Sequence, residues 1–103
     1  MIYVVASIQA RAGHREQLVR AFQGILDTVR AKPGCLEYTL ALHCESGLAG
    51  QAAYDDDVVT LIERWSNLEA LKTHIGDPNY LGWFGDQLEN IETASMQVLG
   101  AVQ

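Results

Sequence analysis

Val58-Val59-Thr60-Leu61-Ile62-Glu63-Arg64-Trp65-Ser66-Asn67-Leu68-Glu69 is the stretch on which the fold turns. Its first eight residues read as an otherwise apolar strand interrupted by one carboxylate, with Glu63 and Trp65 on one face because side chains alternate with a period of two. Ser66 then fits a helix N-cap, and Glu69 reaching back would close a capping box. Leu68, Leu71 and Ile75 form the buried stripe of the helix that follows, which leaves His74 on the border of that stripe. A strand running straight into a helix thus gathers a carboxylate, an indole and an imidazole at one junction.

The flanking sequence supplies the remaining elements. Residues 2–10 are a β-branched run with Ile2, Val4, Ala6 and Ile8 on one face and Tyr3 and Val5 on the other. After Gly13, Leu18, Phe22, Ile25, Leu26 and Val29 recur at helical spacing and predict one helix over 14–32, stopped by Pro33-Gly34. A second strand is expected over 35–44, with Leu36, Tyr38, Leu40 and Leu42 alternating against Glu37, Thr39 and His43. Residues 46–57, rich in Gly, Ala and Asp, read as a loop. Asp77-Pro78 restarts a helix to about residue 90, with Leu81, Phe84 and Leu88 inward, and a last strand covers 92–102.

This β-α-β-β-α-β order predicts a single α+β domain over 1–103, of ferredoxin-like topology, with both helices on one face of a four-stranded antiparallel sheet. The opposite face is not polar. The first strand is apolar on both sides, and the last offers Ala94, Met96 and Val98 on one and Leu99 and Ala101 on the other. Soluble monomers seldom expose such a surface, so a homodimer packed sheet against sheet, a dimeric α+β barrel, is expected.

Composition narrows the function classes. With 103 residues, 49% of them hydrophobic, the chain can bury one core. A net charge of -6 leaves no basic patch for nucleic acid. No apolar run is long enough to span a bilayer, and the first residues read as a strand rather than a signal peptide, so no membrane association and a cytoplasmic location are expected. Cys35 and Cys44, placed on one strand, would lie roughly 30 Å apart on opposite faces and stay as reduced, half-buried thiols.

Several features together resemble the antibiotic biosynthesis monooxygenase family, over essentially the whole chain. They are the first strand with Gly13 before the first helix, Pro33-Gly34-Cys35 with Tyr38, Glu63-x-Trp65 with His74, and the long 46–57 loop, which is similar to that of its quinol monooxygenase branch. The resemblance implies a dimeric α+β barrel that oxygenates an electron-rich aromatic, such as a quinol or anthrone, with dioxygen and no flavin, haem or metal. The sequence is coherent with this expectation of no cofactor. Gly82-Trp83-Phe84-Gly85 is not a dinucleotide loop, Asp55-Asp56-Asp57 lacks the calcium-loop pattern, and no zinc spacing or nucleophile elbow occurs. Departures from the family are also visible. Asn79 follows Pro78 where relatives often have His, Leu61 and Leu71 stand where anthrone oxygenases use Asn and Tyr, and residues 78–90 contain no axial His for haem.

Such a reaction needs a base, a dry pocket and a group that holds the resulting anion. His74 is the candidate base, because an ordinary imidazole suits proton abstraction near neutrality; the competing reading is a His that orients its helix. Glu63, in an apolar strand, must be paired, protonated or at a pocket wall, and an ion pair with Lys72 or with Arg64 of a neighbouring chain competes with a chemical role. Trp65 would stack on a planar substrate or else plug the strand–helix corner. Tyr38, Tyr80, Trp83 and Phe84 would line the rest of the pocket or belong to the core. His14 and His43 read as solvated. A proton-shuttling isomerase of small metabolites and a non-enzymatic ligand-binding dimer remain as rival functions.

Overall fold

A computed structural model describes residues 1–53 and 55–103, so residue 54 of the expected 46–57 loop lies outside the described residues. The strands are β1 (Ile2–Ala10), β2 (Cys35–Ala41), β3 (Val58–Trp65) and β4 (Ile91–Gly100). The helices are α1 (Arg15–Gln23), α2 (Leu26–Arg30), α3 (Leu68–Ile75) and α4 (Pro78–Gln87), with a short 3-10 turn over Leu88–Asn90. The sheet is four-stranded in the order β2-β3-β1-β4, and every neighbouring pair is antiparallel. This is the ferredoxin-like α+β fold.

Strand parity decides what each face carries. Val4, Ala6 and Ile8 of β1 lie beside Glu63, Leu61 and Val59 of β3, and Tyr38 pairs with Glu63 from β2. On that face the core closes with Leu18 and Phe22 of α1, Val29 of α2 and Leu71 of α3. The other face carries the paired neighbours Tyr3 with Leu99 and Val5 with Ile62, all at least 36% exposed. The helices also fail to cover β4: Met96 and Val98, which pair with Ala6 and Val4 on the helix side, are 52% and 45% exposed.

Five local expectations are corrected. The single helix over 14–32 is two, because Gly24 and Ile25 interrupt it; the Ile25 amide reaches back only to Phe22 O (3.0 Å), a tightened turn at a residue of poor helix propensity. The second strand ends at Ala41, not residue 44, so Cys44 is exposed outside it, while Cys35 is half-buried and both thiols are free. The register of β2 shifts between Cys35 and Glu37, which leaves Leu36 as an extra, exposed residue and sets Cys35 and Tyr38 on the core side together. Leu42 lies beyond the strand end and is likewise exposed. The cap of α3 is Asn67 rather than Ser66: its extended backbone lets Asn67 Oδ1 accept from the Ala70 amide (2.8 Å), and Glu69 pairs with Lys72 instead of closing a box. Leu81 of α4 and Leu88 of the 3-10 turn face outward rather than inward, and Trp83 and Phe84 make the partly buried contacts with the core.

The turn from α2 into β2 is held by Gly34, whose carbonyl accepts from the Ser66 amide at 2.8 Å. Its φ is +82°, and a Cβ there would stand 2.6 Å from Ala70 Cβ and 2.7 Å from Ser66 Oγ. The position therefore excludes a side chain on both conformational and steric grounds. Gly34→Ala is expected to destabilise the fold by roughly 2–4 kcal/mol, the sum of a left-handed backbone penalty and overpacking. Urea unfolding at neutral pH measures it, and a loss below about 1 kcal/mol would mean that α3 gives way easily.

Candidate active site

β3 and α3 meet where the sequence places its carboxylate, indole and imidazole. Trp65 is fully buried, and its Nε1–H turns back along the strand face to donate to Glu63 Oε1 at 3.0 Å. Glu63 is 6% exposed. Burial pushes its carboxyl above the usual carboxylate range, and the Trp65 hydrogen bond offsets part of that rise. Lys72 is occupied by Glu69, and Arg64 of the same chain binds Glu37 (2.8 Å) on the opposite face of the sheet. The ion pair with Lys72 is thus not formed.

His74 is 2% exposed and occupies the centre of the buried face of α3; Leu68, assigned to the stripe, is 44% exposed instead. The helix is rotated so that the imidazole, not the leucine, meets the sheet. Its ring stacks on Trp65 (centroids 5.0 Å apart, planes 20° apart), lies 4.3 Å from the Tyr80 ring and receives Tyr38 edge-on at 5.9 Å. Its Nδ1 is 2.8 Å from Lys32 Nζ, and that ammonium also binds Asp77 Oδ2 at 2.8 Å. Burial, and secondarily the Lys32 charge, push the His74 pKa down to about 4 against the opposing pull of Asp77. The ring is therefore neutral near pH 7.

Tyr38 is 1% exposed and its hydroxyl has no hydrogen-bond partner among the described residues. It is close enough to Tyr80 for each to influence the other's ionisation, without hydrogen-bond geometry between them. Burial raises both phenols above their ordinary range, so both are neutral donors.

Between the sheet and the α3–α4 layer lies a cavity of about 310 Å³. Ala6, Ile8 and Leu61 form its floor, Glu63, His74 and Tyr80 its polar end, and Leu81, Phe84 and Met96 its rim. Of the residues expected to form a pocket, these contacts bring together Glu63, His74, Tyr80 and Phe84. Trp65, Tyr38 and Trp83 do not line it. Trp65 backs Glu63 and His74 from inside the core rather than offering a stacking face, and Trp83 packs edge-on against Phe22 (4.8 Å).

A second, open groove of about 740 Å³ lies on the other side of His74, among Lys32, Gly34, Asn67, Thr73 and Asp77. Lys32 and Asp77 are neighbours of His74 that sequence reasoning missed, beyond the reading of Asp77-Pro78 as a helix start. No local spacing signals Lys32, which stands 42 residues from His74, whereas Asp77 follows His74 by a few positions and reaches the network through Lys32. Asp77 uses its two oxygens separately: Oδ1 caps α4 by accepting from the Asn79 amide at 2.9 Å, and Oδ2 holds Lys32. Among the described residues no three His, Cys, Asp or Glu side chains converge as metal ligands would, and no helix is long and apolar enough to cross a membrane.

Comparison with known proteins agrees with this fold. A profile described as "Antibiotic biosynthesis monooxygenase" matches residues 1–85. The chain is 32% identical over 95 residues to the "Probable quinol monooxygenase YgiN" of Escherichia coli K12, covering 86% of this chain and 90% of that one. The crystal structure of PA3566 from Pseudomonas aeruginosa (TM-score 0.81, 24% identity, 99% of this chain and 94% of that one) shares the fold. So does a variant of SnoaB, a cofactor-independent oxygenase from Streptomyces nogalater (TM-score 0.77, 15% identity, 99% and 93% covered).

Proposed function

The chain belongs to the antibiotic biosynthesis monooxygenase family, and on that premise we propose that it oxygenates a quinol or related electron-rich aromatic with dioxygen, without a cofactor. The observation that carries this reading is the cavity itself: apolar walls closing on one polar end where Glu63 and His74 are both buried. Its volume sits near the lower end for small-molecule sites, which suits a compact aromatic.

The chemistry balances on the substrate alone. A quinol and dioxygen give a hydroxyquinone and water; one oxygen atom enters the ring and the other leaves as water. Two of the four electrons come from the quinol becoming a quinone, and two from the ring C–H that becomes C–OH. The protein's part is to remove a phenolic proton, because the quinolate is a far better reductant of dioxygen than the quinol, and to hold the anion away from water. Glu63 and His74 are the groups placed for that work.

The active unit in this reading is a homodimer. Tyr3, Val5, Ile62 and Leu99 offer an apolar patch on the helix-free face, and the β4 side of the cavity rim, with Met96 and Leu81 each 52% exposed, lacks a cover that a second copy would supply. We place the chain in the cytoplasm, where its two unpaired cysteines would stay reduced.

The test is oxygen uptake by flavin-free, chelator-treated protein across a panel of reduced quinones and anthrones, corrected for autoxidation. The expected result is a protein-dependent rate at least tenfold above the autoxidation rate for one or more of them; no enhancement across the panel defeats the reading. A carboxylate and an imidazole at one cavity also suit proton shuttling. Turnover that persists under strict anaerobiosis would move the assignment to an isomerase, and a ligand that stabilises the chain but returns unchanged would move it to a binding protein.

A further inference from the structure

Among the described residues His74 is the one common to the cavity and the groove, and its two edges are not equivalent. The groove edge presents Nδ1 to Lys32 Nζ at 2.8 Å. An ammonium has hydrogens to give and no lone pair to receive one, so Nδ1 must be the acceptor. A neutral imidazole carries one proton, which then sits on Nε2, at the edge turned away from Lys32. Asp77 Oδ2 holds the same ammonium at 2.8 Å, and the two side chains are only 18% and 27% exposed. The contact is thus sheltered from the screening that weakens surface ion pairs.

We propose that Lys32 and Asp77 are positioning residues that fix His74 as its Nε2–H tautomer, so that in the cavity the imidazole donates a hydrogen bond to a ligand oxygen and proton acceptance falls to Glu63. The ligand half of this statement rests on the quinol reading; the tautomer half does not. The groups around the imidazole are consistent with it. Lys32 opposes a second proton on the ring, Asp77 favours it less strongly, and Tyr80 and Tyr38 are neutral phenols. Glu63, across the cavity end, uses Oε1 to accept from Trp65 and retains a second oxygen as an acceptor. A phenolic O–H would pass its proton to that carboxylate, giving a carboxylic acid and a phenolate whose oxygen is held by the Nε2–H. Stacking on Trp65 and packing against Tyr80 resist the ring flip that would undo this arrangement.

The tautomer is directly observable. Long-range proton–nitrogen correlation spectra of the full chain with labelled histidine contain His14, His43 and His74, and loss of one pattern in His74→Gln assigns the third. The wild-type protein is expected to show a protonated Nε2 and an unprotonated, pyridine-like Nδ1 for His74 from pH 5.5 to 8. Lys32→Met is expected to mix the two tautomers and to raise the proton affinity of His74 about tenfold. A dominant Nδ1–H form in the wild type overturns the proposal, whether or not the variant folds; so does a folded Lys32→Met protein with an unchanged His74 pattern. Neither readout requires turnover. An absence of oxygenase activity with the expected tautomer would defeat the quinol reading alone, and activity with the wrong tautomer would defeat this one alone.

Discussion

Glu63→Gln is expected to lower quinol-dependent oxygen uptake by about two to four orders of magnitude, the usual cost of removing a general base, while raising the melting temperature at pH 7. The two effects share one cause. Glu63 is buried at the polar end of the cavity with a hydrogen bond from Trp65, and its carboxyl is pushed up by desolvation. A poorly solvated carboxylate is a stronger base than an exposed one, and it is also a charge that the fold must tolerate. Glutamine keeps the size and the oxygen that accepts from Trp65, yet it neither takes a proton nor carries a charge. Because the folded-state value is raised, the wild-type protein loses stability as pH rises from the ordinary carboxylate range through that raised value. The stability advantage of the variant is therefore small in acid and grows toward neutrality. Uptake rates and thermal melts from pH 4 to 8 check both halves. Retained activity would remove Glu63 from the chemistry, and equal melts at all pH values would mean that its charge is solvated.

The second large effect concerns His74 and has the opposite sign. Its pKa is pushed from 6.5 down to about 4, so between those values the unfolded chain binds the proton more readily than the folded one. Stability then rises with pH across that window and is lost on acidification, by on the order of 3 kcal/mol in total, at about 1.4 kcal/mol per pH unit. The Glu63 contribution runs against it over part of the range, so the comparison is between the wild-type protein and His74→Gln, which share Glu63. Urea unfolding from pH 7 to 4 should show the wild type losing about 3 kcal/mol more than the variant. Parallel curves would mean that His74 takes up a proton as easily in the folded protein as in the unfolded chain.

Much of the fold was legible because it rests on short-range periodicity. Alternation across Ile2–Ala10 and Val58–Trp65 sets which residues face the helices, and the helical stripes of Leu18, Phe22 and Val29 define the covering layer. Asp77-Pro78 signals a helix start because cap and first-turn chemistry are local. The misses are places where one residue changes phase. Gly24 breaks a stripe that Ile25, Leu26 and Val29 otherwise continue; the extra Leu36 reverses strand parity; and moving the α3 cap from Ser66 to Asn67 helps set which side chain of that helix meets the sheet. The site shows the same division. Glu63, Trp65 and His74 are legible as neighbours because one strand and the next helix carry them. Lys32 joins them only through the tertiary fold and brings the Asp77 carboxylate into the network, and Trp65 serves them from behind rather than facing a ligand.

The edge strand β4 gives this arrangement a particular freedom. Its residues from Glu92 onward are all exposed, and with Leu81 of α4 it supplies the outer rim of the cavity, while Glu63 and His74 sit on elements locked into the core. On the proposed function, substitutions at Met96 or Leu81 would reshape what enters the cavity and leave the Glu63–His74 corner intact, since neither residue contributes to its hydrogen bonds. On the same reading, selectivity would reside on β4 and α4 and the proton chemistry on β3 and α3. A domain built this way could acquire new substrates by drift at its margin while its reactive centre stays under constraint.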